Sequence, residues 1–366
     1  MKKIFISAGE VSGDWHAASL VRAIRKTIPD VEFWGIGREK LGESGVKLVA
    51  YMGEYDIVGI DGILKKTPYF YSLTKKIISR ALDTSLAIFV DYPGYNILLA
   101  RYFNNMGIKN IYYIAPQVWG WWQFRAKLVA RYIDTALVIY PFEVDFWKRF
   151  GMNAVYVGNP VYDAIFQGHI EPIHPLPEGK KIIGLLPGSR YSEVKRVLPY
   201  MLRIKKMIEK KYKDVHFLLS LVPENIEVRK EENLEIIRGE GKRVMKSSDV
   251  LIVSSGTATL EGVLLEKPMV VLYALSPLSY FLGRMVKRVE YLSLVNIVAG
   301  RELVKEFIQD IDVYKVAEEV EHLLFDKDRR SEIKQGFLEI KSKLSGNASF
   351  NAASFIKRRF FNGKDD

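Results

Sequence analysis

Two short segments place small and polar residues where an apolar run ends and a helical pattern begins. They are residues 185–190, LLPGSR, and residues 254–261, SSGTATLE. The first amides of a helix have no intrahelical partner and lie at the positive end of its macrodipole, so they bind phosphate oxygens without a metal. Arg190 adds a planar guanidinium that can hold two oxygens together. The two segments therefore predict a site for a nucleotide diphosphate.

The predicted phosphate contacts come from both segments. They are Gly188, Ser189, Arg190, Ser255, Gly256 and Thr257. Glu261 follows Thr257 by one helical turn, so it faces the same way and can accept hydrogen bonds from ribose hydroxyls. The alternative for this stretch is an ordinary capped helix in which Glu261 forms a salt bridge.

A third polar cluster, residues 9–16 with the sequence GEVSGDWH, follows the first apolar run. It is neither a dinucleotide fingerprint nor a Walker loop. We expect Glu10 and His16 to take part in catalysis and Ser12 and Gly13 to contact the ligand, with sugar hydroxyls as fitting targets. The alternative is a tight turn in which Asp14 caps a helix.

Asp91 follows the apolar run 86–90 and precedes a turn stiffened by Pro93. Partial burial at a strand end raises the proton affinity of a carboxylate, and a hydroxyl nucleophile needs such a proton acceptor. Asp91 is therefore a candidate general base. The competing interpretation is a turn-stabilising aspartate.

Three further motifs follow apolar runs. Residues 115–125, APQVWGWWQFR, contain three tryptophans, whose rings can stack on sugars, lie at a membrane interface or pack under a loop. For residues 141–143, PFE, and residues 158–160, GNP, we favour structural roles.

Composition limits the class of protein. With 366 residues and 48% hydrophobic content, the chain exceeds one typical core, so two domains are expected. Cysteine is absent, which excludes thiolate catalysis and sulfur-bound zinc, and only one of the five histidines lies in a motif, so no metal site is expected. The net charge of +11 predicts an anionic partner, but no nucleic-acid-binding signature is visible. No apolar run is long enough to span a bilayer.

Short apolar runs alternate with helical periodicity, which predicts an α/β fold with two doubly wound, Rossmann-like parallel sheets. The predicted strands are 3–8, 31–36, 86–90, 110–114, 136–140, 182–186, 215–221, 250–253 and 269–273. We place domains at 1–167 and 178–347, with a hinge in the proline-rich stretch 167–179 and no strand after about residue 275. The tail, 348–366, can pack on the first domain.

Residues 57–78 mix apolar, aromatic and lysine residues around glycine and proline. Lysines attract anionic headgroups while apolar side chains enter the interface, so the segment can hold the protein on a membrane surface. An amphipathic helix packed on the core has similar periodicity and is the alternative.

Taken in order, these motifs resemble the bacterial lipid A disaccharide synthase family from the first strand to at least Gln309. The matching landmarks are AGE with SGD at 8–14, Asp91 with Pro93, PQVW at 116–119, PFE at 141–143, LPGSR at 186–190, SGTATLE at 255–261 and NIVAGREL at 296–303. The resemblance implies a two-lobed glycosyltransferase fold of the GT-B type, with the acceptor and membrane side in the first domain and the UDP-sugar in the second. It also implies a cytoplasmic enzyme at the inner face of the inner membrane that needs no metal or cofactor.

The implied reaction is an inverting transfer. The donor is UDP-2,3-diacylglucosamine, the acceptor is 2,3-diacylglucosamine 1-phosphate, and the products are the β-1,6-linked disaccharide 1-phosphate and UDP. By its position in the matching motif, Arg190 resembles the family's essential arginine near the donor diphosphate. Asp91 likewise resembles the family's carboxylate that acts as a base or positions the substrate. Asn296, Arg301 and Glu302 match a polar cluster expected near the donor.

One position departs from the family pattern, because Asn159 stands where many members have histidine. The family also includes dimers that exchange carboxyl-terminal segments, and the tail of this chain is too generic to decide that question. Two other functions fit the residues: a UDP-N-acetylglucosamine 2-epimerase, which would not need acyl chains, and a nucleotide-sugar or lipid-binding protein without catalysis.

Overall fold

The fold is known from a computed structural model that describes residues 2–52, 60–119, 124–275 and 290–361. The chain forms two compact units. The first contains Met1–Pro160 together with Gly346–Asp366, and the second contains Val161–Ser345. Each unit holds one parallel sheet covered by helices.

The first sheet has seven strands in the order β3-β2-β1-β4-β5-β6-β7. The strands are β1 Lys2–Ala8, β2 Val31–Gly37, β3 Lys47–Tyr51, β4 Leu86–Val90, β5 Lys109–Tyr113, β6 Thr135–Val138 and β7 Asn153–Tyr156. Every residue of β4 is buried, as expected for a strand with helices on both faces. Because β1 lies between β2 and β4, the strand order reverses there, and the carboxyl ends of β1 and β4 are adjacent.

The second sheet has six strands in the order β10-β9-β8-β11-β12-β13. They are β8 Lys181–Leu186, β9 Val215–Leu221, β10 Leu234–Arg238, β11 Val250–Ser254, β12 Met269–Tyr273 and β13 Glu306–Ile308. The reversal of strand order here places the ends of β8 and β11 side by side.

Helices connect the strands on both faces of each sheet. They are α1 Val11–Thr27, α2 Glu39–Glu43, α3 Ile60–Ile78, α4 Pro93–Asn105, α5 Phe124–Tyr132, α6 Pro141–Lys148, α7 Pro160–Phe166, α8 Tyr191–Lys211, α9 Gly241–Ser247, α10 Thr257–Leu264, α11 Leu294–Ala299, α12 Val313–Phe325, α13 Lys327–Lys343 and α14 Ala348–Ile356. A 3₁₀ turn, Ala81–Asp83, and a π-helical turn, Lys357–Phe361, complete the described elements.

The two parallel sheets expected from the alternating pattern are confirmed, but four strands escape that pattern. These are β3, β7, β10 and β13, which are short and only partly buried. The expectation that strands end near residue 275 is wrong, because β13 pairs with β12. With three half-buried residues and a glutamate at its start, β13 has no apolar run by which the sequence could reveal it.

The proline-rich stretch 167–179 is not the boundary between the units, which falls at Pro160. The stretch is irregular, as expected, but it packs within the second unit. Ile173 is buried and its amide donates to Ser247 Oγ at 2.7 Å, while Lys246 Nζ donates to the Ile170 carbonyl at 2.8 Å. Residues 161–167, which we assigned to the first domain, therefore belong to the second unit.

The carboxyl-terminal helix α14 belongs to the first unit. Ala352, Ala353 and Ile356 are fully buried in the same core cluster as residues of β1 and α1. The Lys2 ammonium donates to the Phe361 carbonyl at 3.2 Å. The last described residues thus complete the core that the first residues begin.

Helix α3 covers most of the segment proposed to contact a membrane, of which residues 57–59 lie outside the described residues. Leu73 and Ile77 are buried, so this end of the helix packs on the core. Tyr71 is 63% exposed, and the Lys75 ammonium lies 4.6 Å from its ring centre. Among the described residues, no helix combines the length and apolarity that crossing a bilayer requires.

Candidate active site

A cavity of about 270 Å³ lies in the second unit at the carboxyl ends of β8, β9 and β11. Its lining residues are Leu186, Gly188, Ser189, Glu193, Ser220, Val222, Gly241, Met245, Ser254, Ser255, Gly256, Thr257, Ala258 and Glu261. The two segments predicted to bind a diphosphate therefore line one cavity, as the pairing of β8 with β11 requires.

Two helices begin at this cavity. The segment after β8 leads into α8 at Tyr191, and the segment after β11 leads into α10 at Thr257. Arg190 is the residue immediately before α8 and its side chain is exposed; it is not among the lining residues, but it directly follows the lining residue Ser189. The starts of two helices at one cavity are the arrangement that the prediction of a phosphate site requires.

Ser255 does not have the predicted role of a phosphate contact. Its amide donates to the Leu272 carbonyl at 3.1 Å and so continues the ladder between β11 and β12. Its hydroxyl donates to the Leu292 carbonyl at 3.2 Å. Both of its donors are therefore engaged within the protein, and the amides that begin α10 are those of Thr257 and Ala258. Ser255 shapes the cavity wall and does not offer phosphate a donor.

Glu193 lines the cavity and was not among the predicted site residues. Its Oε1 accepts a hydrogen bond from Ser254 Oγ at 2.7 Å, so it links the start of α8 to the end of β11. Its Oε2 lies 2.3 Å from the point that a Cβ atom on Gly188 would occupy. Glu193 lies in the first turn of α8, where the helix macrodipole stabilises an acidic side chain. An acidic residue soon after the predicted start of a helix is therefore the sequence signal that could have revealed Glu193.

Glu261 lies on the cavity wall with its side chain 19% exposed. Its Oε1 is 3.9 Å from the Lys242 ammonium. Burial raises the pKa of Glu261 above its ordinary value, and the charge of Lys242 acts in the opposite direction. The salt bridge that we considered as the alternative is present, but it is long and lies at the cavity.

Asn296 does not line the cavity. It is fully buried, and its amide nitrogen donates to the Val304 carbonyl and to Glu306 Oε1, both at 2.8 Å. Its carbonyl oxygen accepts from the amides of Leu303 and Val304 at 2.8 and 3.0 Å. Because every hydrogen-bonding position of this amide is occupied, Asn296 holds the chain before β13 and has no group left for a ligand.

Arg301 and Glu302 also lie away from the cavity. Arg301 pairs with Glu339 at 3.0 Å and Glu302 with Lys305 at 2.7 Å, all on the surface. Both residues precede the start of β13, whereas the cavity follows the ends of neighbouring parallel strands. Neither residue is among those that line the cavity, so the structure does not place them in contact with it.

In the first unit, the structure brings the segment after β1 to the end of β4. The Cβ of Asp91 lies 3.4 Å from the point that a Cβ on Gly13 would occupy. Asp91 and Tyr92 have φ angles of 46° and 50°, which side-chain-bearing residues seldom adopt. The Asp91 carbonyl accepts from Tyr112 Oη at 2.6 Å and from Asn96 Nδ2 at 2.7 Å. Such strain, held by buried partners, is found where a side chain must be aimed.

Glu10 lies in the same neighbourhood as Asp91. Burial raises the pKa of Tyr112 well above its ordinary value, and the charges of Asp91 and Glu10 raise it further. Burial lowers the pKa of His16 to about 4, so the imidazole is uncharged at neutral pH and its surroundings oppose protonation. Ser12 is exposed in the first turn of α1.

Asp14 has a structural role. Its buried carboxylate accepts from the amides of Arg38 at 2.6 Å and Lys40 at 2.9 Å. It therefore caps α2 and not its own helix. This cap ties the segment after β1 to the segment after β2.

Three other motif residues form one buried network. Trp119 Nε1 donates to Glu143 Oε1 at 2.9 Å, and Glu143 Oε2 accepts from the amides of Ile139 and Tyr140 at 3.1 and 3.0 Å. Burial raises the pKa of Glu143 to about 7. Asn159 is also buried and donates to the Ile139 carbonyl at 3.1 Å. These contacts agree with the structural roles that we favoured for Glu143 and Asn159.

The other two tryptophans of the cluster, Trp121 and Trp122, lie outside the described residues. Within the part of the chain that the structure describes, no group of three or more histidine, aspartate or glutamate side chains is arranged to hold a metal ion.

Comparison with known proteins identifies the chain's relatives. The model of the family described as Lipid-A-disaccharide synthetase matches residues 4–358. The chain belongs to this family. The lipid-A-disaccharide synthase of Geobacter sulfurreducens is 35% identical over 371 residues, which cover 97% of this chain and 96% of the relative. Members of the lipid-A-disaccharide synthetase family transfer sugars, and this chain is accordingly a glycosyltransferase.

Solved structures share the fold at low identity. The glycotransferase of kitacinnamycin superposes with a TM-score of 0.67 and 13% identity, covering 98% of this chain and 99% of that one. The UDP-GlcNAc 2-epimerase from Neisseria meningitidis, solved with UDP-GlcNAc, gives 0.64 and 14%, covering 98% of this chain and 99% of that one. These matches confirm the GT-B architecture of two doubly wound sheets.

Substitution of Gly188 tests the geometry of the cavity. Gly188 has a φ of 110°, and an added methyl group would collide with the Glu193 carboxylate. We expect Gly188→Ala to weaken UDP binding at least tenfold, since left-handed strain and overpacking each cost on the order of 1–3 kcal/mol. Isothermal titration calorimetry measures the dissociation constant.

The control is Gly179→Ala, because Gly179 also has a positive φ of 72°, has open space around it and does not line the cavity. It should retain the UDP affinity of the wild type. Equal UDP affinity in Gly188→Ala and the wild type would show that this loop does not form the binding site.

Proposed function

We propose that the protein is a lipid A disaccharide synthase. It transfers 2,3-diacylglucosamine from UDP-2,3-diacylglucosamine to the 6-hydroxyl of 2,3-diacylglucosamine 1-phosphate, and it releases UDP. The observation that carries the proposal is the cavity at the ends of β8 and β11, in a chain that matches this family over nearly its whole length. The product is the β-1,6-linked disaccharide 1-phosphate.

The donor diphosphate binds at the starts of α8 and α10. The amides of Thr257 and Ala258 and those at the start of α8 face its oxygens, and Arg190 supplies the positive charge. Glu261 accepts hydrogen bonds from the ribose hydroxyls. This arrangement supplies the stabilisation that a metal would otherwise provide.

The acceptor reacts through its 6-hydroxyl oxygen. As that oxygen bonds to the anomeric carbon of the donor, its proton passes to Asp91, and the bond from the anomeric carbon to the phosphate oxygen breaks. Attack from the face opposite UDP inverts the anomeric configuration. Glu10 and His16 lie near the same strand ends and are the alternative proton acceptors.

UDP leaves with the bonding electron pair, so negative charge grows on its β-phosphate. Preorganised donors aimed at developing charge are the largest single source of catalysis in many enzymes. Arg190 and the helix amides serve this purpose here. The exposed position of Arg190 leaves its guanidinium available for the ligand.

Replacement of Arg190 tests the leaving-group assignment. Arg190→Ala should lower kcat by about 10²- to 10³-fold, the cost of losing one donor to a developing charge. Release of UDP from both purified lipid substrates measures the rate, and circular dichroism checks the fold. Arg203→Ala is the control, because Arg203 is exposed within α8, about three turns beyond the start of the helix where the phosphate-binding segment lies, so it should have normal turnover. Normal turnover by Arg190→Ala would remove this residue from the site.

Replacement of Asp91 tests the proton acceptor. Asp91→Asn keeps the size of the side chain and removes its basicity, so we expect kcat to fall by about 10²-fold or more. The acidic limb of the pH–rate profile should disappear with it. Asp83→Asn is the matched control, since Asp83 is exposed in the same unit and pairs only with Lys3 in the contacts given for it. An unchanged pH–rate profile in Asp91→Asn would assign the base elsewhere.

The protein's place on a membrane surface is also proposed. Its lipid substrates, its net charge of +11 and the exposed pair Tyr71 and Lys75 on α3 favour peripheral binding at the cytoplasmic face of the inner membrane. A homodimer formed by exchange of the carboxyl-terminal segment stays a prediction, since residues 346–366 pack within their own first unit here.

Flotation with lipid vesicles tests membrane binding. The wild type should float with vesicles that contain anionic phospholipid and should not float with neutral phosphatidylcholine vesicles. The double substitution Tyr71→Ser and Lys75→Glu removes an aromatic anchor and reverses one charge, so it should reduce the floated fraction by roughly tenfold, since each contact contributes about 1 kcal/mol. Undiminished flotation of the variant would exclude this end of α3 from the membrane contact.

A further inference from the structure

Lys242 is a charged residue at the nucleotide cavity that neither the sequence motifs nor the proposed mechanism uses. It is the second residue of α9, directly after the lining residue Gly241. Its ammonium lies 3.9 Å from Glu261 Oε1 on α10, and the two side chains are 38% and 19% exposed. The cation is therefore held close to the carboxylate without forming a tight ion pair.

The distance between Lys242 and Glu261 matters because the Glu261 carboxylate must remain free to accept hydrogen bonds from the ribose hydroxyls. An ionised carboxylate accepts hydrogen bonds at both oxygens, whereas a protonated one carries a donor at one of them. Two vicinal ribose hydroxyls that both donate are bound more strongly by the ionised form, because its hydrogen bonds are charge-assisted. A lysine in direct contact would compete with the ribose for the same oxygens, whereas a lysine at 3.9 Å leaves them accessible.

The cavity itself opposes ionisation of Glu261. Burial raises the pKa of this carboxyl, and the charge of Lys242 lowers it. Glu193 lines the same cavity from α8 and adds a second acidic side chain. The cations of α13 that lie near α10 are engaged elsewhere, because Lys334 and Lys341 pair with Glu266 beyond the end of that helix.

We propose that Lys242 is a positioning residue that keeps Glu261 ionised so that its carboxylate can recognise the ribose diol of the UDP group. The inference rests on the proposed function, in which UDP occupies this cavity. It assigns sugar specificity to a pair of residues from two helices. Lys242 acts through Glu261 and makes no contact with the reacting atoms.

Binding of UDP and of 2′-deoxy-UDP to the full chain tests the pair. Calorimetric dissociation constants are measured from about pH 5, just above the ordinary pKa of a glutamate, to about pH 9. The wild type should prefer UDP by roughly tenfold at every pH at which Glu261 is ionised, because a hydrogen bond to a charged group contributes about that factor. Glu261→Gln should show little preference at any pH.

The decisive variant is Lys242→Met, which keeps the length of the side chain and removes its charge. Without the cation, the pKa of Glu261 rises, so the preference for UDP should be lost at a higher pH than in the wild type and return as the pH increases. Lys242→Arg keeps the charge and should keep the wild-type preference throughout. The partial exposure of Lys242 means that the fold should tolerate both changes, which thermal unfolding checks.

Other results would overturn the proposal in distinguishable ways. If Lys242→Met weakens binding of UDP and 2′-deoxy-UDP equally at all pH values, Lys242 acts on the phosphates and its assignment here is wrong. If UDP binds normally and the ribose preference of the variant matches the wild type, the proposal fails while the proposed function stands. If the wild-type chain does not bind UDP at all, the proposed function fails and this inference fails with it.

Discussion

The parallel pairing of β8 with β11 is the constraint on which the candidate active site depends. These strands are hydrogen-bonded neighbours, although the residues at their ends lie far apart in the sequence. Glu193 and Ser254, separated by 61 residues, form a hydrogen bond across the junction. If the strands were not adjacent, the starts of α8 and α10 would not line one cavity.

In the first unit, too, a reversal of strand order brings two strand ends together, but the residues that follow those strands differ in charge. Its reversal of strand order places the ends of β1 and β4 together, and there the cluster is acidic. Asp91 is held in a strained backbone conformation by Tyr112 and Asn96, both of which donate to its carbonyl. These two buried side chains thus stabilise the strained backbone of Asp91, and that backbone conformation fixes the position of the Asp91 carboxylate. Two units of one architecture thus carry different clusters at their strand ends: a cavity at the starts of two helices in the second unit, and an acidic cluster in the first.

Much of this could be predicted from the sequence, because strand ends in doubly wound sheets are marked by local signals. The central strands are apolar throughout, and glycine and polar residues follow them directly, so the segments at 185–190 and 254–261 stand out. The pairing of those segments follows from the fold class. Short edge strands such as β13 carry no such signal, since three half-buried residues do not form a pattern.

The individual side chains were harder to assign, because their roles depend on partners that are distant in sequence. Asn296 lies in a motif with the polarity of a ligand-binding residue, yet it is saturated by bonds to the chain before β13. Asp14 caps a helix that begins 25 residues later, at Glu39. Lys242 lies in no motif, and only the tertiary fold brings its ammonium within 3.9 Å of Glu261. Sequence reasoning finds the strand end, but tertiary structure decides which polar residues remain available there.

The return of α14 to the first unit has a consequence for biosynthesis. The core that begins with β1 and α1 includes Ala352, Ala353 and Ile356, which follow the whole second unit in the chain. During translation the second unit is therefore made before the first can close, and an apolar strip on α1 stays uncovered until α14 has been synthesised. Until then the nascent chain carries an unfinished amino-terminal half that is vulnerable to aggregation, and a truncation before α14 would leave that half permanently open.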